Sequence, residues 1–151
     1  MHKKPPIIDG RTPDSKLELE KMPDLQNQSS DISYNLKIAD EYDHYPDCKW
    51  AIVEYKSRSL KDAVQQLSDT AEKLAKASKP LSYAFIVSMK MNHAESRIFR
   101  KRGNVLYNKL TKDPVQIRFG NNRMEVQLYY VDEVEGQYQK YEGSIIRWVS
   151  K

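Results

Sequence analysis

The segment PDCKWAIVEYKSR, Pro46 to Arg58, decides how the chain is read. Its apolar middle, Trp50-Ala51-Ile52-Val53, has no polar face, the mark of a strand covered on both sides of a sheet. The run ends in Glu54-Tyr55-Lys56. Residues two apart on a strand leave by the same face, so Glu54 and Lys56 project together, beside Trp50 and Ile52. At an exposed strand end the two charges would only pair with each other. On a buried strand, where an unpaired charge is costly, they call for a site.

Pro46-Asp47 precedes the run, and an aspartate upstream of an acid-x-lysine invites a two-carboxylate metal centre. Asp47 cannot supply it. Seven extended residues at ~3.3 Å each put it ~23 Å from Glu54, and the odd separation turns it to the opposite face. The second carboxylate is expected on a strand across a hairpin. DISYNLKIA alternates Ile32, Tyr34, Leu36 and Ile38 against polar residues, as a strand with one apolar face does. With the turn centred near residues 42–43 in the polar stretch DEYDHYPDC, Asp31 falls opposite Glu54, within the ~4.5–5.5 Å of directly opposed residues. Asp40 and Asp43 then lie in the loop at the far end of the hairpin.

Working outward, SLKDAVQQLSDTAEKLAKAS reads as a helix. Ser59 caps it, Asp62 stands three residues on, and Leu60, Val64, Leu67, Ala71 and Leu74 form its buried stripe. LSYAFIVSMKM is a second buried strand, parallel to the first through a right-handed crossover. HAESRIFRKRGNVLYNKL reads as helical, with Gly103 as a break or cap. VQIRFGNNRMEVQLYYVDEVE reads as a hairpin around Gly120-Asn121-Asn122, and GSIIRWVSK as one more strand. Near the N-terminus, DSKLELEKM is a short helix capped by Asp14 or Ser15 or, by the alternation of Leu17 and Leu19, a strand. These elements predict one α/β domain over residues 1–151 with a mixed central sheet flanked by helices. It has a poorly defined segment 1–30, a core 31–90, and a basic helix with a C-terminal hairpin over 91–151.

The order β-β-α-β, with an aspartate opening the first strand and Glu54-Tyr55-Lys56 on the second, resembles the PD-(D/E)XK nuclease superfamily, including archaeal Holliday-junction resolvases and small viral nucleases. The resemblance covers roughly residues 31 to 90. It implies a restriction-endonuclease-like core and a Mg²⁺-dependent (or Mn²⁺-dependent) deoxyribonuclease that hydrolyses DNA phosphodiester bonds. It further implies that Asp31, Glu54 and the backbone carbonyl of Tyr55 hold the metal, while Lys56 orients the attacking water or offsets developing charge. The family's polar helix residue corresponds to Gln65 or Gln66, of which Gln66 lies nearer the buried stripe. A further glutamate of the first helix would be Glu18 or Glu20. Since one domain offers one metal site, cutting two strands implies a homodimer, with Tyr129, Tyr130, Ile145, Ile146, Arg147 and Trp148 as the contact patch.

The charge distribution agrees with a phosphate-tracking protein. The net charge is only +4, yet residues 90–125 carry nine Lys or Arg against three acids. Lys90, Arg97, Arg100, Lys101 and Arg102 are the expected DNA contacts, with Arg97, Arg100 and Lys101 on one helical face. The competing reading is a catalytically inactive nucleic-acid-binding or assembly protein on the same fold. The single cysteine, Cys48, excludes an internal disulfide and a cysteine-based zinc site. His2, His44 and His93 are isolated and build no catalytic arrangement. No run approaches the ~20 apolar residues of a membrane span, and the first residues lack the apolar stretch of a secretory signal. The expected location is the cytoplasm.

Overall fold

In the computed structural model, residues 3–22, 38–56 and 59–149 are described. They form β1 (Ser15–Glu18), β2 (Glu41–Tyr45), β3 (Lys49–Tyr55), α1 (Leu60–Lys76), β4 (Tyr83–Ser88), β5 (Phe99–Arg102), β6 (Val105–Asn108), β7 (Gln116–Phe119), β8 (Asn122–Tyr130) and α2 (Val131–Val149). Among the described residues the sheet runs β1-β2-β3-β4-β8-β6-β5, with β7 also paired to β8. It is the mixed α/β sheet expected. β3 is antiparallel to β2 and parallel to β4, and β4 is parallel to β8.

β3 holds the interior position its unbroken apolar run predicts, with Ala51, Ile52 and Val53 fully buried. Its alternate residues feed two cores. Ile52 joins Ala84, Ile86, Val126 and Leu128 under α1, which contributes Leu60, Ala63, Leu67, Ala71 and Leu74. Ala51 and Val53 join Phe85, Val87 and Tyr129 on the other face, against Val134 of α2. The Ser59 hydroxyl caps α1 by accepting from the Asp62 N–H at 3.1 Å. β7 and β8 meet in the expected hairpin, turning at Gly120 with φ of 60°.

Three expectations change. The strand across from β3 is Glu41–Tyr45, inside the stretch expected to be loop, and the turn is Pro46-Asp47-Cys48. Asp47 and Cys48 both take positive φ, 70° and 58°, which closes the chain back on itself. The expected strand at 31–39 lies, except for Ile38 and Ala39, outside the described residues. The expected basic helix is a 3₁₀ turn at Glu95–Arg97 followed by the hairpin β5–β6 around Gly103, φ 56°. Phe99 and Leu106 anchor this hairpin in the α1-side core. Finally, residues 143–149 of GSIIRWVSK continue helix α2 rather than forming a strand. Val134 and Tyr138, four apart, turn one side of α2 toward the sheet. Asp132 and Glu133 in its first turn complement the helix dipole.

Among the described residues, no helix is long and apolar enough to cross a membrane.

Candidate active site

Glu54 sits near the end of β3, and the residue across from it is Asp40. The β2–β3 register pairs Glu41 with Val53, and one step further the Asp40 N–H donates to the Val53 carbonyl at 3.1 Å. The Tyr55 N–H donates to Asp40 Oδ2 at 2.8 Å, which draws the carboxylate to the end of β3. The backbone around Asp40 is held from two more directions. The Leu19 N–H donates to the Asp40 carbonyl at 3.2 Å, and the Ala39 N–H donates to Thr70 Oγ1 of α1 at 2.9 Å.

Asp31 lies outside the described residues, and the acid that the described register supplies is Asp40. The turn falls at 46–48 rather than 42–43, and counting back from it puts Asp40 opposite Glu54. Asp43 points to the other face with Tyr45. Asp47 sits in the exposed turn at the opposite end of β3 and pairs with Arg11 at 3.2 Å.

Glu54 is 4% exposed, and its Oε1 is shielded from solvent with no hydrogen-bond partner among the described residues. Burial first, and the adjacent Asp40 second, push its carboxyl up to about 8. Two adjacent acids that oppose each other's ionisation, one of them buried with an oxygen left unsatisfied, form a pair whose ionised state a bound cation would favour.

Lys56 continues the ladder, its N–H donating to the Val87 carbonyl at 3.0 Å. Its ammonium lies 2.9 Å from Glu95, with side chains 12% and 9% exposed. Glu95 also accepts from the Leu60 N–H at the start of α1 (2.7 Å) and from the Asn92 N–H (3.2 Å). Burial alone would raise the Glu95 carboxyl. The donors from Lys56, Leu60 and Asn92 outweigh it and hold the group below its ordinary value.

Asp40, Glu54, Tyr55, Lys56, Gln66 of α1 and Glu20 of the 3₁₀ turn after β1 line one cleft of 310 Å³. Of the two expected glutamines, Gln66 is the one in the cleft. Gln65 instead donates to Asp69 on the exposed side of α1, at 2.9 Å. Glu20 comes from a turn following a strand, not from a helix. The cleft also takes in Lys3 and Lys4, which no sequence signal marked.

Among the described residues, no three His, Cys, Asp or Glu side chains form a ready metal cage. Two carboxylates backed by water suit Mg²⁺, which binds through one or two carboxylates and keeps much of its hydration. The residues present fit such an ion.

The basic residues are arranged differently from the helical stripe expected. On strand β5, Arg100 and Arg102 share the exposed face, while Lys101 turns the other way to Glu133 at 3.1 Å. Arg100 and Arg102 line a shallow groove with Tyr107, Asn108, Lys109 and Lys112. Arg97 lies against His93 at 3.2 Å, and Lys90 borders a neighbouring depression that also takes in Arg100 and Lys101. Of the expected dimer patch, Tyr129 is buried against Phe85, whereas Ile145, Ile146 and Trp148 are exposed on α2.

No protein-family model, no curated protein and no solved structure matches this chain.

Proposed function

We propose that the protein is a metal-dependent nuclease of the PD-(D/E)XK kind, hydrolysing DNA phosphodiester bonds. The observation that supports it is the convergence of Asp40, Glu54 and Lys56 at one end of β2 and β3, with Gln66 and Glu20 in the same cleft. Two carboxylates at the ends of neighbouring strands of a mixed α/β sheet, and a lysine two residues on, are the parts that phosphoryl transfer by hydrolysis needs.

Asp40 and Glu54 would hold Mg²⁺ or Mn²⁺, with the Tyr55 carbonyl as a third donor. When bound, the ion polarises a phosphoryl oxygen and makes a water nucleophilic near neutral pH. Lys56, steadied by Glu95, orients that water or offsets the charge that develops on the phosphate. Gln66 would direct a further hydrogen bond into the cleft from the α1 side. Arg100, Arg102 and their neighbours on the β5–β6 hairpin would hold the DNA backbone without regard to sequence. As a nuclease of this kind the protein would act in the cytoplasm, and as a two-fold dimer it would cut two strands.

Cleavage of plasmid DNA in Mg²⁺ tests the reading, together with calorimetric Mn²⁺ titration. Asp40→Asn and Glu54→Gln are each expected to lose cleavage by at least a hundredfold and to lose Mn²⁺ binding. Asp47→Asn is expected to retain both. Wild-type protein that binds DNA tightly but never cuts it would favour an inactive binding protein on the same fold.

A further inference from the structure

The N-terminal strap enters the site through two lysines. Pro5, Pro6 and Ile7 are buried, and their polar contacts among the described residues fix the strap. The Tyr138 hydroxyl donates to the Pro5 carbonyl at 2.9 Å, and the Tyr45 hydroxyl donates to the Pro6 carbonyl at 2.6 Å. The Ile7 N–H donates to Gln137 Oε1 at 2.9 Å, while Gln137 Nε2 donates back to the Ile7 carbonyl at 3.3 Å. Prolines have no N–H to leave unsatisfied and a fixed φ, so this segment is rigid by composition as well as by contact. It ends at the mouth of the cleft, which Lys3 and Lys4 line. The Lys3 ammonium lies 5.7 Å from the centre of the Tyr55 ring, and that of Lys4 lies 5.1 Å from the Tyr138 ring. Among the described residues neither lysine has an ion-pair partner.

The charged residues of the cleft suggest a use for these lysines. Glu20, Asp40, Glu54 and Glu135 all line it. Lys56 is already engaged by Glu95 at 2.9 Å. A phosphodiester approaching the Asp40–Glu54 pair meets carboxylates on several sides, and the remaining lysines of the cleft are Lys3 and Lys4.

We propose that Lys3 and Lys4 form a clamp for the phosphodiester backbone of the substrate strand beside the Asp40–Glu54 pair. The inference rests on the nuclease reading and assigns that site a substrate-binding element. The anchored strap holds the backbone that carries both lysines in place before substrate arrives, which cuts the ordering cost of binding.

The test compares wild type, Lys3→Gln/Lys4→Gln and Lys3→Arg/Lys4→Arg. Binding of a fluorescein-labelled DNA duplex is followed by polarisation in Ca²⁺ across a salt series, and steady-state cleavage is followed in Mg²⁺. With two phosphates no longer neutralised, the slope of log affinity against log salt should fall by about 1.8. The glutamine variant should show a KM raised about tenfold with kcat little changed, and the arginine variant should recover both. Matching melting curves for the three proteins establish that the fold is kept. If wild type binds and cuts while the glutamine variant has the same slope and KM, the clamp is overturned and the nuclease stands. Should the glutamine variant differ only in Mn²⁺ affinity, the lysines merely balance the carboxylates, and the clamp is again overturned. Wild type that neither binds nor cuts would remove the nuclease reading and the clamp with it.

Discussion

Lys56 and Glu95 are paired at 2.9 Å in the interior, although 39 residues separate them in the chain. Two buried charges gain little stability from each other once desolvation is counted. Their effect here is geometric. Glu95 links the end of β3, through Lys56, to the first turn of α1, through the Leu60 N–H, and to the 3₁₀ turn after β4. The elements that carry Glu54, Lys56 and Gln66 are thereby tied at one point.

Glu95 is consequently expected to act as a positioning residue. Glu95→Ala would leave Lys56 buried without a partner and should destabilise the fold by about 3 kcal/mol. Glu95→Gln keeps an acceptor for the Leu60 N–H and should fold. It is expected to lower kcat about tenfold or more with KM nearly constant, and to alter the pH–rate profile. Wild-type kcat and profile in the Gln variant would show that the pair is only structural.

The β5–β6 hairpin should separate DNA binding from packing. Arg100→Ala/Arg102→Ala is expected to weaken duplex binding for all sequences and to lower the salt slope by about 0.9 for each phosphate no longer neutralised. Lys101→Ala should leave that slope nearly unchanged, because its ammonium is already engaged by Glu133 and the Gly103 carbonyl. Anisotropy titrations at several salt concentrations distinguish the two, and equal slopes for all three proteins would move the DNA path elsewhere.

Asp43 gives the protein a pH dependence unrelated to the cleft. It is fully buried on β2, and among the described residues neither carboxylate oxygen has a hydrogen-bond partner. Burial first, then the neighbouring Glu41, push it up to about 8, while Lys16 on β1 works in the opposite direction. Between about 3.9, the unfolded value, and about 8, the folded state holds a proton that the unfolded chain releases. The contribution of Asp43 to stability is thus complete in acid and is lost as pH rises through that window, at up to about 1.4 kcal/mol per unit. Asp43→Asn cannot ionise and should flatten the slope. Urea denaturation at pH 5, 7 and 9 measures it, and equal slopes in both proteins would assign the dependence to other groups.

A two-fold dimer would use the exposed edge of α2, where Ile145, Ile146 and the 80%-exposed Trp148 lie together near its end. Sedimentation velocity is expected to show a dimer at micromolar concentration, and Trp148→Glu a monomer. An intact chain that sediments as a monomer while cutting both strands of a duplex would remove the dimer.

The sequence by itself determined the centre of the sheet and one half of the site. The unbroken run Trp50–Val53 belongs only in an interior strand, and a period of two puts Glu54 and Lys56 on one face wherever that strand lies. Ser59 and the stripe through Leu67 and Leu74 define α1, whose length requires β4 to return parallel. The other half depended on register. Glu41, Asp43 and His44 look like loop residues, yet Tyr42 and Tyr45 bury β2 on opposite faces, and only pairing with β3 decides that Asp40 rather than Asp31 stands across from Glu54. The turn Pro46-Asp47-Cys48 was the one local signal that counted correctly to Asp40. Between Glu95 and Arg102, helix and hairpin are both compatible with the local residues. The hairpin forms because Phe99 and Leu106 reach the α1-side core. The pairing of Glu95 with Lys56 and the contacts of Lys3 and Lys4 with Tyr55 and Tyr138 could not be read at all, because these residues are brought together from 39 or more positions away. Periodicity specifies which face a side chain takes, and tertiary packing alone specifies what that face meets.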